Sequence, residues 1–194
     1  MNSLKVPQWI AWMVLSVSVL VILVMFPAQV FAGEDAPHWS YGGAANPTHW
    51  GSLGHDFALC EMGRDQSPID IDDAVASGST AIAFNYSATP LVVVNNGHTI
   101  QVNYAPGSTV SINGDEYELL QFHFHTPSEH LIEGDAAAME LHLVHRNDAG
   151  ELAVVGVMLE VGERANRTID TIWRHIPADG GENFETILLT SGLI

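Results

Sequence analysis

Gln121-Phe122-His123-Phe124-His125 and, one short loop later, Met139-Glu140-Leu141-His142-Leu143-Val144-His145 read as two β-strands of one hairpin. Side chains alternate between the two faces of a strand, so Gln121, His123 and His125 share one face while Phe122 and Phe124 share the other. The second strand repeats the pattern, with Glu140 and His142 on one face and Leu141 and Leu143 on the opposite one. If the two strands pair, three imidazoles converge on a face whose reverse is a phenyl and leucine layer. Three neutral imidazoles form a sufficient protein set for a catalytic zinc, with the fourth tetrahedral position left to water. Gln121 and Glu140 each stand two residues before a ligand on the same face, where they can fix the ligand's other ring nitrogen. His145 is three residues from His142 and faces away. His130 follows the turn Thr126-Pro127-Ser128 and reads as a loop residue.

Outward from this hairpin the pattern stays β-rich. Short apolar runs at 81–86, 91–94, 99–104, 116–125, 137–146 and 152–161 are separated by Asn95-Asn96-Gly97, Pro106-Gly107, Asn113-Gly114 and Asp148-Ala149-Gly150. Asn113-Gly114, between Val110 and Tyr117, is the strongest hairpin signal, because both residues accept the positive φ angles of a tight turn. Helical spacing occurs at Ile169, Ile172, Trp173 and Ile176, which predicts one short surface helix over 168–176. No linker, repeat or charge block interrupts residues 33–194, which read as one mainly β domain.

The chain has 194 residues, 47% of them hydrophobic, which excludes a disordered protein. Six basic against 23 acidic residues give a formal charge of −17, which repels phosphate backbones and argues against a nucleic-acid partner. Lys5 precedes the apolar run from Trp9 to Phe26, and Val30-Phe31-Ala32 follows it. This is the layout of a secretory signal peptide over residues 1–32, with an uncleaved anchor as the alternative. Either way the domain is expected to be exported, periplasmic or secreted, without stable membrane insertion once the signal is removed. Its single cysteine, Cys60, then sits in a disulfide-forming compartment without a partner in the chain.

Two families carry His-x-His on a strand. His123, His125 and Glu129 match the first part of the cupin pattern, which implies manganese or iron, but Gly134 follows Glu129 too closely and the cupin second motif has no counterpart. The longer likeness is to the α-class carbonic anhydrases of bacterial type. It runs from about His38 to Leu189 through His38-Trp39-Ser40-Tyr41-Gly42, Asn46-Pro47-Thr48-His49-Trp50, Gln66-Ser67-Pro68-Ile69-Asp70-Ile71, Asn95-Asn96-Gly97-His98, Gln121 to His130, Glu140 to His145 and Leu152-Ala153-Val154-Val155-Gly156, in the family's order.

That resemblance implies a single twisted, mostly antiparallel sheet with a few short helices and a zinc at the foot of a cleft. It makes His123, His125 and His142 the zinc ligands and places Gln121 and Glu140 behind them. Glu129 resembles the acidic residue that orients a gatekeeping threonine, and Val144 and Val154 resemble part of the apolar wall that receives substrate. His98 resembles the proton shuttle, with Tyr41, Asn96 and Gln101 as water-ordering groups. Simple alternation puts His98 and Gln101 on opposite faces, so joint service in one cleft needs a bulge or a late strand start. The implied reaction is reversible hydration of carbon dioxide to bicarbonate and a proton. Family members continue beyond the Asn-Phe found here as Asn183-Phe184 with a stretch that Ser191-Gly192-Leu193-Ile194 does not resemble. The domain is therefore expected to lack C-terminal strands, and a non-enzymatic zinc-binding fragment is the alternative to an active enzyme.

Overall fold

The computed structural model describes residues 38–189, apart from residues 77, 79, 179 and 180, and for residues 184–188 the backbone alone. The expected signal peptide and Ser191-Gly192-Leu193-Ile194 lie outside the described residues. The chain divides into a unit ending at Trp39 and one running from Ser40, and every element below belongs to the second.

Among the described residues eleven strands follow in order: β1 (Asp70–Ile71), β2 (Ile82–Asn85), β3 (Thr89–Asn95), β4 (Ile100–Asn103), β5 (Thr109–Ile112), β6 (Asp115–His125), β7 (Leu131–Ile132), β8 (Asp135–Ala136), β9 (Met139–Arg146), β10 (Leu152–Leu159) and β11 (Gly181–Leu189). Two α-helices accompany them, α1 (Leu59–Met62) and α2 (Arg167–Arg174). Eight strands form one antiparallel sheet in the order β10-β9-β6-β4-β3-β11, with β5 on the first half of β6 and β2 on β5. A small separate sheet joins β1, β7 and β8. The molecule is mainly β, as the alternation predicts.

The expected β5–β6 hairpin forms. Its two turn residues, Asn113 and Gly114, have φ of 53° and 99°, as a type I′ turn demands. The strand predicted over 116–125 spans 115–125 but carries an irregularity that the pattern did not disclose. Its pairing to β9 shifts register between Leu119 and Gln121. Before the shift Leu119 is buried, and after it Phe122 and Phe124 are, so the buried parity changes from odd to even. This is what a β-bulge does, and it aims His123 and His125 at the polar face while Leu119 stays in the core.

The core lies on the other face of the sheet. Leu91 and Val93 of β3, Val102 of β4, Phe122 and Phe124 of β6, and Leu141 and Leu143 of β9 are buried together, each burial stabilising by about 1.5–3 kcal/mol. Helix α2 closes this layer, with Ile172 wholly buried and Trp173 edge-on to Phe124 at 4.8 Å. Asn166 caps it by accepting from the amides of Thr168 and Ile169. The helix ends at Arg174, two residues before the predicted limit. β11, a nine-residue strand paired to β3, carried no periodic signal strong enough to be expected.

Candidate metal centre

Pairing of β6 with β9 sets His123 opposite His142 and His125 opposite Glu140, and pairing of β4 with β6 sets Gln101 opposite His123. Residues opposed in an antiparallel pair share a face. The imidazoles of His123, His125 and His142 therefore meet, with ring centroids 4.9, 5.4 and 4.7 Å apart in the three pairings. One ring nitrogen from each lies within 4.8 Å of the others.

Each imidazole has one nitrogen engaged, and the partner fixes its tautomer. His123 Nδ1 is 2.9 Å from Gln121 Oε1 and donates to it. His125 Nδ1 is 3.3 Å from the Tyr41 hydroxyl, which itself donates to Glu129 Oε1 at 3.1 Å. Because the tyrosine proton goes to the carboxylate, His125 Nδ1–H is the donor in its own contact. His142 Nε2 lies 2.9 Å from Glu140 Oε1, near enough for an ion pair though not aligned as a hydrogen bond. The second nitrogens, Nε2 of His123 and His125 and Nδ1 of His142, thus carry lone pairs. His125 Nε2 is buried without a hydrogen-bond partner among the described residues. A buried lone pair costs free energy unless something accepts it, and three such nitrogens in a cluster fit a zinc ion.

Burial, and then the neighbouring imidazoles, hold His123 and His125 down to about 4, so both are neutral at pH 7 and ready to ligate. Glu140 is fully buried. Burial alone would raise its carboxyl, but hydrogen bonds from the backbone and ring of His130, with the close approach of the His142 ring, outweigh it and bring the group to about 2. His130 Nδ1 stands 2.6 Å from Glu140 Oε1, and the amides of Glu129 and His130 donate to Oε2 at 3.0 and 2.9 Å. His130, read from sequence as a loop residue, thereby joins the site. Gly156 of β10 makes room for the same carboxylate, since a Cβ there would meet Glu140 Oε1 at 2.8 Å. Sequence spacing gave no sign of either.

The remaining site residues fall into two groups. Tyr41, His98, His125 and Glu129 line one cavity of about 870 Å3. Gln101 stands beside His123 in the ladder and donates to Asn103 at 2.7 Å. β4 begins at Ile100, so His98 precedes the strand and simple alternation does not govern it. Asn96 Oδ1 accepts from the amides of His98 and Thr99 and so shapes that turn. Val144 pairs with Gln121 on one side and Val154 on the other, an apolar row beside the histidines on which Val154 is 54% exposed. His145 is fully buried on the core side, its Nε2 2.7 Å from the Tyr86 hydroxyl and its Nδ1 donating to Ala153 O. Cys60 is exposed and free.

An antiparallel sheet with an apolar back and three convergent imidazoles on its front defines a mainly β protein whose three histidines are placed to hold a metal ion. Residues 45–187 match the model of the eukaryotic-type carbonic anhydrases, and the chain belongs to that family. It is 46% identical to a carbonic anhydrase of Nostoc sp. over 74% of this chain and 56% of that one. It is 39% identical to a carbonic anhydrase of Pectobacterium carotovorum over 90% of this chain and 71% of that one. Among solved structures, the α-carbonic anhydrase of Thermovibrio ammonificans in complex with sulfanilamide superposes with a TM-score of 0.75 at 37% identity, covering 80% of this chain and 70% of the other. The chain spans little more than half the length of the Nostoc relative. This membership sets aside the cupin reading of His123, His125 and Glu129.

Proposed function

We propose that the chain binds zinc through His123, His125 and His142 and, as part of an exported protein, hydrates carbon dioxide reversibly to bicarbonate and a proton. The observation that carries this reading is the pairing of each imidazole with a partner that leaves one lone pair facing the cluster. Zinc held by three imidazoles supplies Lewis acidity that makes water a nucleophile near neutral pH. Gln121, Tyr41 and Glu140 keep the rings in the ligating tautomer. Val144 and Val154 offer an apolar surface beside the site for an uncharged substrate. His98 shares the cavity with His125 and Glu129, which supports its reading as the group that carries protons between the site and solvent. Gln101 and Asn96 supply polar atoms on the approach to it. The apolar run from Trp9 to Phe26 behind Lys5 supports export of the domain. Among the described residues no helix is long and apolar enough to cross a membrane.

Metal analysis together with a carbon dioxide hydration assay on the purified chain tests the reading. One zinc per chain and zinc-dependent hydration are expected. Zinc bound without measurable hydration would make the chain a non-enzymatic metal-binding member of the family, and absence of zinc would overturn the site assignment.

A further inference from the structure

The turn that carries His98 is held by side chains on both of its flanks. Asn95 and Asn96 lead into it, Gly97 turns it at a φ of 84°, and β4 starts only at Ile100. Within the turn, Asn95 Oδ1 accepts from the Gly97 amide, and Asn96 Oδ1 accepts from the amides of His98 and Thr99 at 3.0 and 2.9 Å. These bonds set the shape of the turn but not its place over the site. Two further bonds fix that place. Asn95 Nδ2 donates to the Pro177 carbonyl at 3.4 Å, beyond α2, and Thr99 Oγ1 donates at 2.5 Å to the carbonyl of Phe124, the residue before His125. The same hydroxyl lies 3.5 Å from the Ile100 carbonyl, so the contact with β6 is the stronger one. The ladder shows why a side chain is needed there. β4 and β6 pair Val102 with Phe122 and Gln101 with His123, and the same register continued past that end sets Thr99 opposite His125. His98, Thr99 and His125 all line one cavity.

We propose that Thr99 is a positioning residue for proton transfer: its hydroxyl bolts the His98 turn to β6 beside His125 and so fixes the path over which the His98 imidazole carries protons from the site. The proposal rests on the reading of His98 as the proton carrier and of the three histidines as a metal site. Thr99 takes up no proton and touches no substrate. Transfer over a fixed path is steeply sensitive to geometry, and a turn released from β6 spreads the imidazole over positions of which few serve.

Thr99→Val keeps the branched shape and removes the donor, whereas Thr99→Ser keeps the donor; Thr99→Ala repeats the comparison if the valine variant does not fold. The proton leaves after bicarbonate has formed, so its transfer enters kcat and not kcat/KM. In the zinc-loaded full chain, Thr99→Val should lower kcat in dilute buffer about three- to tenfold, part of the roughly 10²-fold that a positioned proton-transfer group supplies. Added imidazole buffer should restore it, Thr99→Ser should restore it, and kcat/KM should hold throughout. In a His98→Ala background Thr99→Val should cost nothing further. A second readout needs no turnover. In the cobalt(II)-loaded protein, the paramagnetic relaxation of the His98 ring protons, assigned by their loss in His98→Ala, should differ beyond error between the unmodified protein and Thr99→Val and agree between the unmodified protein and Thr99→Ser. Equal relaxation in the unmodified protein and Thr99→Val, a kcat that does not fall, or a fall that imidazole does not restore or that persists in His98→Ala overturns the proposal and leaves the readings of His98 and of the histidines standing. If His98→Ala alone leaves kcat in dilute buffer unchanged, the proton-carrier reading fails and this proposal with it. Zinc bound without turnover overturns the enzymatic reading and this proposal together, and failure to bind zinc or cobalt overturns the metal site as well.

Discussion

His142 and His145 stand three residues apart on one strand, yet their removal should have different consequences. His142→Ala takes away a ligand and should abolish stoichiometric zinc, measured by elemental analysis. His145→Ala should keep zinc but lower the unfolding free energy in urea by about 1–3 kcal/mol, because the Tyr86 hydroxyl loses its buried partner. Equal zinc loss in both would refute the facing of the strand. Gly156→Ala tests Glu140 from behind. The added methyl meets a carboxylate that three donors hold in place, so zinc affinity in a chelator competition should drop roughly 10 to 100-fold, as it should for Glu140→Ala. The three histidines could be found from sequence because their positions obey a period of two. His130 and Gly156 obey no such rule. Each reaches Glu140 through a fold-back of the chain, by way of the loop after β6 in one case and the next strand in the other, and no local pattern records a contact of that kind.

At the scale of the element, strands announced by tight turns or alternation were legible, and those defined by their neighbours were not. β5 and β6 follow from Asn113-Gly114, and β9 and β10 from alternation and apolar content. The bulge in β6 stayed hidden because Gln121 to His125 alternates cleanly and the slip lies just upstream, at Leu119 to Gln121. β11 is a strand by virtue of β3, whose edge it completes. Among the described residues β10 is outermost on its side of the sheet, and Leu152 and Val154 on its site face are 64% and 54% exposed. Such an edge pairs with other chains. Leu152→Lys should therefore reduce concentration-dependent association, followed by light scattering, without changing zinc content. Unchanged association would show that this edge is not the sticking surface.

For the molecule as a whole, acid should unfold the metal-free protein in a recognisable window. His123 and His125 have folded values of about 4 against 6.5 in a free chain. As pH falls from 6.5 toward 4 the unfolded chain takes up protons that the folded one refuses, so stability falls across that interval and levels below it. Glu140, at about 2 against 4.5, prolongs the loss: its contribution is present above 4.5 and disappears as pH drops toward 2. Urea midpoints of the metal-free protein should accordingly decline steadily below about pH 6.5, with His123→Gln flattening the upper part of the decline. A flat profile down to about pH 4 would contradict the burial of these imidazoles. The sheet also has an order of assembly written into its connections. β6 and β9 are joined through residues 126–138, which carry β7 and β8, whereas β11 must return to β3 across most of the domain. Closing a short loop costs less chain entropy than closing a long one, and local pairings are correspondingly quick to form. All three imidazoles sit on the quick pair. Under the proposed zinc reading, the three imidazoles come together while the far edge of the sheet is still open, so a metal ion met during folding can bind before the sheet is finished.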